Sequence, residues 1–287
     1  MAGEAASRYM ARVDAVLAQR TRLHGKAPPG DLFDGLPPDH PMMTADPRRP
    51  LDPNLAVIAE YAEPDDLIVD AGGGAGRTSL PLALRCRSVV NVEPSAAMGA
   101  GFLANAARTG IDNTSVIESD WLAAEPPQGT LALANHVAYP TRDIVPFVEK
   151  LEQTGRRRVV ITVNDPVPPS WHSRLFELVH GETEEAQPGH VELANVLWEM
   201  GILPDIRVLR THAGQPIDEI VAPTREAAIA RALIAYRPQW SFWPLGSQRR
   251  AASHDPVSSA TAKRCNILKK RRRPQQRPGP WSSRTAR

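Results

Sequence analysis

The chain has 287 residues, 42% of them hydrophobic, and a formal net charge of +2. That suits one α/β-sized domain with appendages or two small ones, and no run approaches the roughly 18 apolar residues of a membrane span. Two cysteines, Cys86 and Cys265, lack metal-ligand spacing and exclude a cysteine-based zinc site.

In chain order, residues 5–23 set Tyr9, Val13, Val16 and Leu17 at i, i+4, i+7 and i+8, which predicts an amphipathic helix. The N-terminus holds Glu4 and Asp14 and no continuous apolar stretch, so it reads as neither a secretory nor a transit signal, and a cytoplasmic protein is expected. Next comes GKAPPGDLFDGLPPDHPMMTADPRRPLDPN, whose prolines predict a loop or extended arm. Residues 51–62 predict a helix capped by Asp52, with Pro53 in its first position.

From residue 67 short apolar runs alternate with helical stretches. Strands are expected at 67–72, 89–94, 114–120, 130–135 and 157–165, with helices at 77–86, 95–109 and 143–153 between them. Near-continuous apolar strands separated by helices imply a parallel sheet covered on both faces. Further on, 171–180 and 189–201 read as helices, 205–211 as a strand, PIDEIVA as a further strand and 223–236 as a helix.

Charge is unevenly placed. Residues 247–287 hold 12 of the 34 Lys and Arg and one acid, Asp255, a local charge of +11; the remainder carries 22 cations against 31 acids, or −9. With few apolar residues, this tail is expected to be disordered.

The stretch LIVDAGGGAGR carries the chemistry. Asp70, Ala71, Gly72, Gly73, Gly74, Ala75 and Gly76 follow the first strand and open a helix, as a nucleotide-type loop does. No Gly-Lys-Ser/Thr follows, so this is not a triphosphate loop, and the even glycine spacing differs from the dinucleotide pattern G-x-G-x-x-G. An acid ahead of the glycines suits an ammonium better than a pyrophosphate.

These residues resemble the first motif of the class I S-adenosylmethionine-dependent methyltransferases, and the resemblance extends from about residue 50 to about 165. It implies a Rossmann-like, doubly wound, mostly parallel seven-stranded sheet with flanking helices, a final antiparallel hairpin, and a ligand above the carboxyl ends of the strands. Glu93 ends the second strand, 17 residues after Gly76, where the family's acid receives the ribose hydroxyls. By the same resemblance Met98 packs near the adenine and Asp120, after the third strand, accepts its amino group. Trp121 is placed to flank the base, and Asn135 to contact the donor. Asp70 and the loop face the methionine half.

The cofactor implied is S-adenosyl-L-methionine. Transfer from a sulfonium is largely a matter of alignment and needs no enzyme nucleophile. For an acceptor that must lose a proton, His136 and Tyr139, just past the fourth strand, are the catalytic candidates. NHVAYP lacks the prolines of the Asn-Pro-Pro-Tyr motif that marks base-amine and glutamine methylation. No metal site is expected, since His180 and His190 are too loosely spaced for a pair of ligands.

The chain thus divides into an N-terminal helix and arm (1–50), a donor-binding core (51–165), a C-terminal part with a helical insert (166–246) and the basic tail (247–287). Three readings stand: a methyltransferase with a small-molecule acceptor, which is favoured; an RNA- or protein-directed methyltransferase docked through the tail or arm; and a donor-binding module without catalysis.

Overall fold

The computed structural model describes residues 3–25, 51–165, 171–210 and 263–270, together with 31, 33, 34, 36, 40, 43, 44 and 46–50. Its first element is α1 (Glu4–His24), which ends at Gly25, where φ is 78° and the backbone N–H donates to Thr21 O. Tyr9, Val13 and Val16 are buried on one face, as their spacing requires, whereas Leu17, expected beside them, is exposed. Helix α2 (Pro53–Ala59) starts where Asp52 accepts hydrogen bonds from the Asn54 and Leu55 amides.

A regular alternation follows: β1 (Leu67–Ala71), α3 (Ser79–Ala83), β2 (Ser88–Glu93), α4 (Ala96–Arg108), β3 (Thr114–Glu118), β4 (Gly129–Asn135), α5 (Ile144–Thr154) and β5 (Gly155–Asp165). After these come α6 (Trp171–His180), α7 (His190–Glu199), β6 (Pro204–Arg210) and β7 (Lys263–Lys270). The sheet order is β3-β2-β1-β4-β5-β7-β6. Strands β1 to β5 run parallel, and β7 lies antiparallel to both β5 and β6. This is the doubly wound, mostly parallel sheet with an antiparallel end.

Two differences from the expected elements are informative. Helix α3 spans five residues rather than the ten read at 77–86, since the chain is still turning at Arg77 and Thr78 and the helix stops at Ala83. Residues 263–270, inside the tail expected to be disordered, pair as β7. Their sequence, KRCNILKK, has apolar Ile267 and Leu268 between cations, a pattern too short to register against the charge around it. The readings at PIDEIVA and 223–236, and the rest of 247–287, lie outside the described residues.

Strand parity sorts the core. Val69, Ala71, Val90, Val92, Ala132, Ala134, Val159, Ile161 and Val163 pack with α1, α5 and α7 on one face. Ile68, Val89, Leu131, Leu133 and Val160 pack with α2, α3 and α4 on the other. On that second face the strands turn polar as they end: Asp70, Asn91, Glu93, Asn135 and Thr162 have the parity of the apolar residues before them. Among the described residues, no helix is long and apolar enough to cross a membrane.

Candidate donor site at the strand ends

The polar ends of β1, β2, β4 and β5 meet the loop that leaves β1. Gly72 and Gly74 have φ of 69° and 55°, a region L side chains enter at a cost. At Gly72 a Cβ would also lie 2.7 Å from Val137 Cγ1, whereas at Gly74 it would meet nothing within 4 Å. Gly74 is therefore the point at which the loop presents bare backbone to open space.

Most of the loop's backbone groups have named partners. Gly72 N–H donates to Val92 O at 2.7 Å, and Gly76 N–H to Gly73 O at 3.1 Å. Gly73 N–H donates to Asn91 Oδ1 (3.0 Å) and Gly74 N–H to Glu93 Oε2 (2.9 Å). Asn91 Nδ2 returns a bond to Gly74 O at 2.9 Å. Asn105 Nδ2, from α4, donates to Ala75 O at 3.0 Å and to Met43 O at 2.8 Å.

Two carboxylates stand at the adjoining ends of β1 and β2. Asp70 is fully buried, and neither of its oxygens has a hydrogen-bond partner among the described residues. Burial pushes its carboxyl up to about 7; Ser79, near but outside hydrogen-bond geometry, opposes this, and the neighbouring Glu93 adds to it. Glu93 is 5% exposed and accepts from Ser95 N–H (3.0 Å) as well as from Gly74 N–H. Burial raises its carboxyl also, against the pull of those two amides. Among the described residues no Lys or Arg pairs with either acid. Two unneutralised acids repel a phosphate and suit a ligand with a cation and vicinal hydroxyls.

The N-terminal arm reaches the same place. Asp31 accepts from Ser95 Oγ (2.7 Å) and Ala97 N–H (3.0 Å) at the start of α4, and from Phe33 N–H (2.9 Å). Although burial alone would raise it, these bonds hold its carboxyl below the usual range. Arg49 donates to Arg77 O at 2.8 Å, which ties the arm to the far end of the glycine loop.

At the end of β4, His136 has φ of 59°, uncommon for a residue with a side chain. Its N–H donates to Thr162 O at 3.1 Å. Its Nδ1 lies 2.8 Å from Tyr139 Oη, and the two rings are nearly parallel. Tyr9 Oη, on α1, donates to Ala138 O at 2.8 Å inside the same turn. Cys86 is no rival nucleophile: burial pushes its thiol up to about 11.

The expected site residues divide accordingly. Asp70, Ala71, Gly72, Gly73, Gly74, Gly76 and Glu93 are brought together at the ends of β1 and β2, and exposed Asp120 follows at the end of β3, where its Oδ1 accepts from Leu122 N–H. Met98 is buried on α4 beneath the Ser95 cap. Asn135 is engaged: its Nδ2 donates to Thr78 Oγ1 at 2.8 Å and its Oδ1 accepts from Thr162 Oγ1, so its side chain joins β4 to the loop's exit. Trp121 departs from expectation. It is 5% exposed, donates to Phe147 O and packs against Phe147 and Lys150, so its ring belongs to the core and not to the cleft wall.

Asn91, Asn105, Asp31 and Tyr9 were not anticipated in these roles. Asn91 had a signal, since VVNVE is an apolar strand interrupted by one amide on the parity of Glu93. The others act across long stretches of chain and leave no local pattern.

No family model matches this sequence, and no curated protein matches it either. Solved structures do match in fold. A protein of Bacillus halodurans C-125 assigned as a methyltransferase superposes with a TM-score of 0.51 at 10% identity, over 76% of this chain and 96% of that one. Magnesium protoporphyrin IX methyltransferase from Synechocystis, with bound S-adenosylhomocysteine, gives 0.47 at 16% identity, over 76% and 80%. YcgJ of Bacillus subtilis gives 0.48 at 14% identity, over 76% and 98%. The first of these carries the comparison: the chain shares the fold of that Bacillus halodurans protein.

Proposed function

We propose that this chain is an S-adenosyl-L-methionine-dependent methyltransferase acting on a small-molecule acceptor. The observation that carries the reading is the pairing of Gly74 N–H with Glu93 Oε2 beside the unpartnered carboxylate of Asp70. It supports the reading because an open-faced glycine and two unneutralised acids meet at adjoining strand ends, an arrangement suited to a diol and an ammonium.

The donor supplies an activated methyl group when bound. The protein's share is to hold and align. Glu93 keeps acceptor capacity for ribose hydroxyls after its two amide bonds, since each carboxylate oxygen has a second lone pair. Asp70, buried without a partner, gains from any cation brought over it. Asp120 stands at the next strand end for the base. His136 is the base for an acceptor that must lose a proton, and Tyr139 orients its ring through Nδ1.

Binding of S-adenosylhomocysteine tests the reading. At a hundredfold excess over Kd the full chain gains about 2.7 kcal/mol and melts about 5 °C higher or more. Glu93→Ala removes the gain. An unchanged melting temperature at millimolar ligand, equal in wild type and Glu93→Ala, refutes the proposal.

A further inference from the structure

The glycine loop is shaped by two buried asparagine amides that belong to neither the loop nor the expected ligand contacts. Asn91 is fully buried and Asn105 is 5% exposed. Asn91 engages consecutive loop residues in both senses, accepting from Gly73 N–H and donating to Gly74 O. Asn105 takes the next carbonyl, Ala75 O, and its Oδ1 is fixed by Arg108 Nη2 at 2.9 Å. Residues 73, 74 and 75 are thus each held by a side-chain amide, and between them the Gly74 N–H points at Glu93.

Space around the loop leaves little tolerance. A Cβ at Gly73 would lie 2.6 Å from Asn91 Oδ1 and 2.5 Å from Asp70 Oδ2. The amide of Asn91 therefore packs directly under the peptide that separates the two acids. Its two bonds fix the peptides on either side of the Gly73–Gly74 peptide, so losing them frees that peptide, whose N–H meets Glu93, to rotate. A part-buried carbonyl left without its donor also has reason to turn toward water.

We infer that Asn91 and Asn105 are positioning residues that hold residues 73–75 in the donor-binding conformation. The inference rests on the methyltransferase reading for the identity of the donor, but the clamp itself does not. A side chain that only filled the core would change stability and leave the affinity of the folded protein alone. A positioning side chain changes the affinity of the folded protein.

The test uses the full chain with two isosteric substitutions. Asn91→Asp keeps the acceptor for Gly73 N–H and removes the donor to Gly74 O. Asn105→Asp keeps the acceptor for Arg108 and removes the donor to Ala75 O. Calorimetric titration with S-adenosylhomocysteine is expected to show at least a tenfold loss of affinity in each variant. Amide exchange of Gly73 and Gly74, without ligand, is expected to quicken at least tenfold in Asn91→Asp. Either variant, still melting cooperatively, that binds within twofold of wild type overturns the inference for that residue; unchanged exchange at Gly73 and Gly74 overturns the clamp itself. Should Asn91→Asp fail to fold, Asn105→Asp decides. A wild type that binds no S-adenosylhomocysteine refutes the donor assignment instead, a result the exchange rates keep separate.

Discussion

Asp70 sets the residue-scale behaviour of the ligand-free site. Its carboxyl is raised to about 7 by burial, against an ordinary value near 4 in an unfolded chain. Between those values the folded chain holds a proton that the unfolded chain has lost. Stability from this group is therefore complete below about pH 4 and falls as pH rises toward 7. Glu93, also raised by burial, adds to the same trend. Comparing denaturation of wild type and Asp70→Asn at pH 5 and pH 8 isolates the aspartate. The wild type should lose on the order of 2–3 kcal/mol more than the variant across that interval. Equal losses would show that burial does not raise the Asp70 carboxyl. The two glycines with open and closed surroundings should differ as well. Gly74→Ala meets only the backbone penalty, roughly 1–2 kcal/mol. Gly72→Ala meets that and the crowding against Val137, roughly 2–5 kcal/mol together. Urea denaturation orders the two, and a costlier Gly74→Ala would contradict the geometry. The acids and glycines were legible in LIVDAGGGAGR because loop and strand end are contiguous. The distant partners were not, because Asn105 reaches Ala75 from 30 residues away and Asp31 reaches the start of α4 from 64.

Elements were legible where one period dominated. The apolar runs of β1, β2, β4 and β5 are short and buried on both faces, so each registers as a strand without any tertiary information. Helix α1 was equally clear, but its purpose was not. Its N-terminal amides at Ala5 and Ala6 are taken by Glu199 of α7, and its Tyr9 hydroxyl by Ala138 O. The second contact sets α1 against the turn that holds His136 and Tyr139, 129 residues later in the chain. Burial, aided by Tyr139 and Glu192, pushes the Tyr9 hydroxyl well above its ordinary range, which keeps it a neutral donor. Tyr9→Phe removes the bond to Ala138 O, which keeps Thr141 N–H as a donor. The expected cost is about 0.5–1.5 kcal/mol by chemical denaturation. The His136 imidazole signals should shift in NMR spectra, while Glu199→Ala, which loosens only the far end of α1 by about 1 kcal/mol, should leave them in place. A Tyr9→Phe variant with unmoved His136 signals would mean that α1 supports the fold but not the turn.

At the scale of the whole molecule, charge and topology pull in opposite directions. The basic tail reads as an appendage of +11 on a body of −9, and attraction between the two needs no defined structure. The sheet nevertheless draws β7 from that tail and sets it between β5 and β6, pairing Arg158–Asp165 on one side and Pro204–Arg210 on the other. An eight-residue strand inserted there satisfies backbone groups along two neighbours at once, so its removal exposes two edges rather than one. Two truncations separate the roles. Ending the chain at Lys270 removes 17 residues beyond β7 and should leave the melting temperature within about 2 °C. Ending it at Gly246 removes β7 as well and should lower the melting temperature by about 10 °C or more, or yield protein that associates through the bared edges, as size-exclusion chromatography would reveal. If both truncations melt like the full chain, residues 263–270 are not part of the folding unit.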